Sequence, residues 1–173
     1  MSSENSTQLI CHRITPTEPD PETLRELKEL SASVFKPYFP GTEHTHPSFD
    51  LAEWQHRITL PNAIIFYVTT ATSARPLGFF NAIPLIQPEI GYEILHIWLV
   101  AVDPESRGLG IFRLLLNRMK QHARSCGYRE LTVCTRPENF GKMYRLLSEN
   151  GWEEVAWREK ESGGKQVLMK IAI

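Results

Sequence analysis

The chain has 173 residues, 42% of them hydrophobic and 23% charged, with a formal net charge of −1. This length and balance suit one compact domain with a real core and exclude wholesale disorder. No block of like charge points to nucleic acid or a membrane surface, and no apolar run approaches the ~20 residues that span a bilayer.

Met1 to Thr7 reads as a loose tail and 8–173 as a single domain. Leu9 to Ile14 alternates weakly, as a first strand does. Asp20-Pro21 supplies an N-cap and a proline at the first helical position. Leu24, Leu27, Leu30 and Val34 follow at helical spacing, which predicts a helix to Phe35, stopped by Pro37 and Pro40. Lys36 to Pro47 is a loop rich in Pro, Tyr, Phe and His. Ser48 is the expected N-cap of a second helix, with Leu51, Trp54 and Ile58 on one side and Pro61 at its end. From Ala63 the period changes. Ala63 to Thr70 and Pro76 to Ile86 read as strands, with Thr72 to Arg75 as a hairpin turn. Gly91 to Val102 is the most apolar strand. From Ile97 it is apolar at every position, as a central strand covered on both faces requires. A long helix is expected from Gly108 to Cys126, with Gly127 capping it. A strand over Arg129 to Arg136 and a helix over Pro137 to Asn150 follow. Trp152 to Glu159 and Gln166 to Ile173 then pair across Ser162-Gly163-Gly164. Hairpins and helical crossovers both occur, so the fold class is α/β with a mixed sheet. A sheet with open edges allows a dimer, and nothing in the sequence fixes the oligomeric state.

The cysteines Cys11, Cys126 and Cys134 are odd in number and fit no metal box. They read as reduced thiols. Met1 to Gln8 is polar and shows no secretory or mitochondrial signal, so the expected location is cytoplasmic by default. His44 and His46 sit close together in a Pro-rich loop, where surface histidines are the commoner case, and no metal is expected.

One segment carries chemistry. The strand ending at Val102-Asp103-Pro104 runs through Glu105-Ser106 into Arg107-Gly108-Leu109-Gly110, and a periodic helix begins at once. A helix N-terminus exposes unpaired N–H groups and the positive end of the macrodipole. Glycines just before it let the backbone wrap an anion, and a pyrophosphate suits the resulting nest. A tight turn needing small residues is the plainer reading of the same glycines. A dinucleotide fingerprint fits poorly, because position 113 is Arg where a third glycine belongs.

The run from Val102 to Ile111 resembles the acetyl-CoA pyrophosphate loop of the GCN5-related N-acetyltransferase (GNAT) family. That loop is Arg/Gln-x-x-Gly-x-Gly/Ala after a Val-x-Pro strand end. Arg107 matches its first position and Gly110 its central glycine. Phe112 stands where the family has Gly or Ala. Asn139 to Trp152 is similar to the family's next helix, which opens on Asn and closes on a Gly-aromatic pair. The resemblance implies a single domain whose mixed sheet has splayed fourth and fifth strands and helices on both faces. It implies acetyl-CoA as cosubstrate, held by Val100, Val102, Arg107, Gly108, Leu109, Gly110, Ile111, Phe112 and Asn139. It also implies direct attack of an amine on the thioester, which requires a base because alkyl amines titrate near ~10.

By period two, Ile94, His96, Trp98, Val100 and Val102 share one face of the fourth strand. Family members often place ionisable groups on that face, which makes His96 the leading candidate base; a core histidine with a satisfied hydrogen bond is the competing reading. Glu93 is second choice. The family's acid is often a Tyr at the position of Leu147, and Tyr144, one turn earlier, is the candidate substitute. Tyr38, Phe39 and Trp98 are candidates for substrate contact. The expected reaction is acetylation of a primary amine of a small molecule. A protein or peptide N-acetyltransferase and a catalytically silent acyl-CoA-binding module remain open.

Overall fold

The structure, a computed structural model, describes residues 8–41, 46–161 and 163–173. The expected tail and His44 lie outside the described residues. In chain order the elements are β1 (Leu9–Ile14), α1 (Pro21–Phe35), α2 (Leu51–Arg57), β2 (Ile64–Thr70), β3 (Ser73–Ile86), β4 (Glu93–Val102), α3 (Ile111–Ser125), β5 (Glu130–Thr135), α4 (Gly141–Glu149), β6 (Glu153–Glu159) and β7 (Lys165–Ala172). Short 3₁₀ turns occupy Lys36–Tyr38, Pro47–Phe49 and Pro104–Ser106.

The strands form one sheet in the order β1-β2-β3-β4-β5-β7-β6. Only β4 and β5 are parallel; all other neighbours are antiparallel. The mixed sheet expected from hairpins plus crossovers is therefore present. α3 and α4 cover one face, where Leu115, Met119 and Leu147 pack on Leu95, Ile97 and Val133. α1 and α2 cover the other, where Leu24, Leu27 and Trp54 pack on Ile65, Phe79 and Ala101. Burying such side chains contributes about 1.5–3 kcal/mol each.

Local chemistry sets the element ends. Asp20 caps α1, accepting from the Thr23 N–H at 3.0 Å and the Thr23 hydroxyl at 2.7 Å. α2 starts later than expected: Asp50, not Ser48, accepts from a first-turn amide, and Ser48 lies in the preceding 3₁₀ turn. α3 starts at Ile111 rather than Gly108, because Gly110 is left-handed at φ 81 and cannot belong to the helix. α4 starts at Gly141 rather than Pro137. The segment between β5 and α4 instead turns on bonds from the Asn139 and Phe140 amides to the Arg136 carbonyl, at 3.0 and 2.7 Å. The hairpin between β2 and β3 is tighter than expected, since Thr70 already pairs with Ser73.

The alternation expected along β4 is broken. Asn81 pairs with Leu99 but Ala82 with Ile97, so Trp98 is an extra residue, a bulge. Past it, Val100 and Val102 face α3, while Leu99 and Ala101 face α1 and α2. His96 lies opposite Ile83, which belongs to the α1/α2 face, so His96 does not share a face with Val100 and Val102. A single inserted residue inverts every parity argument carried across it.

Gly78 on β3 is where α3 meets the sheet. A Cβ there would lie 2.9 Å from Ile111 Cγ2, 3.1 Å from the Ala101 carbonyl and 3.2 Å from Val102 Cγ2. The first turn of α3 rests on that missing methyl. Gly78→Ala is expected to destabilise the protein by about 1–3 kcal/mol through overpacking. Denaturant unfolding checks this, and an unchanged midpoint would contradict the close approach.

Candidate active site

β4 and β5 pair only over Leu95–Ile97 and Leu131–Val133. Beyond them the strands diverge, and the β5-facing edge of β4 has no strand partner from Trp98 to Val102 among the described residues. A cavity of about 1070 Å³ opens at this point. It passes through the sheet: Ile111, Phe112 and Met143 line it on the α3/α4 side, and Phe35, His46 and Ser48 on the other. Its size is at the upper end of small-molecule sites, ~300–1,000 Å³.

The rim of the cavity is built by the end of β4. The Asp103 amide donates to the Leu77 carbonyl at 2.8 Å, and its buried carboxylate accepts from Arg75 at 2.8 Å and from the Glu105 amide at 3.3 Å. That fixes the turn from which Arg107 to Gly110 leaves. Gly108 and Gly110 are both left-handed, at φ 86 and 81, and a Cβ on either would meet nothing within 4 Å. Among the described residues no side chain caps α3. Its first-turn N–H groups and two Cβ-free positions thus border the cavity, as an anion cradle requires. A coenzyme A diphosphate fits that chemistry.

Of the residues expected at the cofactor seat, all but Leu109 line the cavity; Leu109 is exposed and is not part of its wall. Phe112 packs edge-on against Phe80 of β3, centroids 5.2 Å apart, so its ring is held on the sheet. Tyr38, Phe39 and Trp98 also line the cavity. Trp98, at the bulge, carries the Arg57 guanidinium 4.2 Å above its ring.

The expected proton-transfer residues are not in this wall. His96 is buried behind it. Its Nδ1 lies 2.9 Å from Thr132 Oγ1 and 3.3 Å from Gln87 Nε2. Arg158 donates to Gln87 Oε1 at 2.7 Å, which leaves the Gln87 amide nitrogen to donate to the histidine. Nδ1 is therefore an acceptor and Nε2 carries the proton. Burial first, then the charges of Arg158 and Arg57, push the imidazole down to about 3. It is a neutral core histidine. Glu93 begins β4, away from the splay, and accepts from the Tyr128 hydroxyl at 2.9 Å. The Tyr144 hydroxyl donates to Glu154 on β6, which raises the phenol's pKa and weakens it as an acid.

A different pair occupies the wall. His46 and Ser48 flank Pro47 on the connection between α1 and α2. The Ser48 amide donates to His46 Nδ1 at 3.3 Å, and Ser48 Oγ lies 2.6 Å from the same nitrogen. Because Nδ1 accepts from the amide, the hydroxyl also donates to it, leaving the Oγ lone pairs free to accept. Burial, then the charges of Arg136 and Lys160, lower the His46 pKa. The sequence signal was the His-Pro-Ser spacing, which by itself reads only as a turn. Among the described residues no group of His, Cys, Asp or Glu is arranged to hold a metal.

A split sheet with a glycine-lined turn above the split is the arrangement that the resemblance of the 102–111 segment implies. The model of the acetyltransferase (GNAT) family matches residues 29–146, and the chain belongs to that family. No curated protein matches the sequence. Among solved structures, the NatC complex bound to Gag peptide and CoA is similar, with a TM-score of 0.72 and 12% identity over 96% of this chain and 99% of that one. An acetyltransferase of the GNAT family from Staphylococcus aureus Mu50 superposes with a TM-score of 0.70 and 16% identity, covering 94% and 99% of the two chains. The aminoglycoside 6'-acetyltransferase type Ii gives 0.70 and 16%, covering 94% and 96%. At such identities the likeness is one of fold.

His96 also predicts a pH dependence of stability. In the unfolded chain it titrates near 6.5, in the fold near 3. Between these values the unfolded chain binds the extra proton, so stability falls as pH drops from 6.5 towards 3. Urea unfolding across this window is expected to show a shallower pH slope for His96→Asn than for the wild type. Equal slopes would contradict the buried neutral state.

Proposed function

We propose that this chain transfers the acyl group of acetyl-CoA to a primary amine of a small molecule. The observation that carries the reading is the cavity crossing the sheet at the β4/β5 split, with an uncapped helix N-terminus on its rim. When bound, acetyl-CoA supplies an acyl thioester open to attack by nitrogen. The amides of α3 and the turn at Gly108 and Gly110 hold its diphosphate. The unpaired edge of β4, Trp98 to Val102, takes up the amides of its pantetheine arm, satisfying strand groups that lack a partner. The two mouths of the cavity let the two substrates arrive from opposite faces of the sheet. A peptide acceptor would be favoured by an acidic groove, and no Asp or Glu among the described residues lines this cavity.

Ser48 is the residue proposed to accept the amine proton, passing its own to His46 Nδ1. As the C–N bond forms the thioester C–S bond breaks, CoA leaves as its thiolate, and the proton returns from His46 through Ser48 to that sulfur. Neutral His46 suits this role, because its pKa lies below 6.5 and the imidazole is a free base at neutral pH. His46 acts through Ser48 and is a positioning and relay residue. As base it must be unprotonated, so kcat should fall only as pH drops below 6.5. His46→Ala is expected to lower kcat about 10²-fold or more and to abolish that acid limb, with Ser48→Ala acting in the same direction. Thiol release from acetyl-CoA over a panel of amines measures this. An unchanged limb in His46→Ala would remove the pair from the reaction.

A further inference from the structure

The turn that carries His46 and Ser48 is held from outside the cavity. Within it the Phe49 amide donates to the His46 carbonyl at 3.0 Å and the Asp50 amide to the Pro47 carbonyl at 3.1 Å. One turn into α2, Trp54 is fully buried, and its indole Nε1 donates to the Ser48 carbonyl at 3.0 Å. The same ring packs against Trp98, centroids 5.9 Å apart, and against Phe79 of β3 at 5.3 Å. Trp98 is the extra residue of the β4 bulge and lines the cavity, whereas Trp54 does not. Arg57, three residues on, holds its guanidinium 4.2 Å from the Trp98 centroid and donates to Glu53 at 2.6 Å. α2 therefore grips Trp98 twice and Ser48 once.

Trp54 thus ties two walls of the cavity together. On the acyl-transfer reading the diphosphate sits past Val102 and the pantetheine runs back along the open edge of β4. That puts the thioester towards the Trp98 end, where Ser48 has to meet the amine. Reacting groups need to be held to within about 0.5 Å, and a misplacement of ~1 Å can cost about 10²-fold in rate. The connection between α1 and α2 has no ladder of its own to supply that precision, and connecting segments move more than the elements they join. A buried indole N–H needs an acceptor. Here the acceptor is the peptide group on the same Cα that bears the Ser48 hydroxyl. Resting on the reading of Ser48 and His46 as the proton relay, we propose that Trp54 is a positioning residue, whose N–H fixes the Ser48 hydroxyl relative to the β4 bulge. It touches neither substrate and acts through Ser48.

The test is a double-mutant cycle read by thiol release, with the amine that the wild type turns over fastest. Trp54→Phe keeps an aromatic ring in the core and removes the donor. A 3-benzothienylalanine placed at position 54 keeps the bicyclic shape and removes the donor alone, so it serves if Trp54→Phe does not fold. Either change is expected to lower kcat about tenfold while KM for acetyl-CoA stays within twofold. Made in Ser48→Ala, the same change should cost less than twofold more, because the hydroxyl it positions is already gone. Ile14→Ala opens the same core at the edge strand β1; it should lower the urea midpoint and leave kcat within twofold. Unchanged kcat with benzothienylalanine would overturn the inference. So would an equal loss with and without the Ser48 hydroxyl, or a tenfold loss in Ile14→Ala, since Trp54 would then only support the core. Wild-type kcat in both Ser48→Ala and His46→Ala would instead remove the relay, and this inference with it. A wild-type protein that releases no thiol with any amine would overturn the acyl-transfer reading on which both rest.

Discussion

A parallel pair of strands that stops pairing partway is costly unless something completes it. Backbone N–H and C=O groups inside a protein need partners, and the sheet here withholds them along β4 from Trp98 onward. Both strands are secured on their far sides, β4 by β3 and β5 by β7, so neither can swing over to close the gap. The split is thus built into the sheet, and the cavity, its two mouths and the placing of α3 over the rim all follow from it.

The bulge at Trp98 belongs to the same device. An extra residue increases local twist and bends a strand, and it falls where β4 departs from β5. It also turns the large Trp98 ring into the cavity wall, where Arg57 and Trp54 hold it. The close packing of Ile111 over Gly78 sets the height of the helix N-terminus above the strand end. Asp103 ties the turn between them to β3 through Leu77 and Arg75. Three short-range constraints therefore fix the cradle relative to the split.

Much of this was legible in the residues. Element order, the mixed sheet, helices on both faces and the glycine turn before α3 all carry local signals: apolar period, Pro and Gly punctuation, and a strand ending directly in a helix. What escaped was tertiary. The bulge leaves no mark in a run that is apolar at every position, so the parity placing His96 beside Val100 failed. The network that neutralises His96 joins Gln87, Thr132 and Arg158 from separate elements. His46 and Ser48 sit two residues apart in a Pro-rich loop, and only the fold brings that loop against the split. Tyr144 lies on α4, but its hydroxyl reaches Glu154 across to β6.

Amide hydrogen exchange at the split tests the central claim most directly. With saturating acetyl-CoA, peptides covering Trp98 to Val102 should exchange markedly more slowly, because the open edge of β4 gains partners, while β1 and β2 stay unchanged. Tight acetyl-CoA binding with no added protection from Trp98 to Val102 would contradict it, since the ligand would then lie elsewhere and the split would serve some other end.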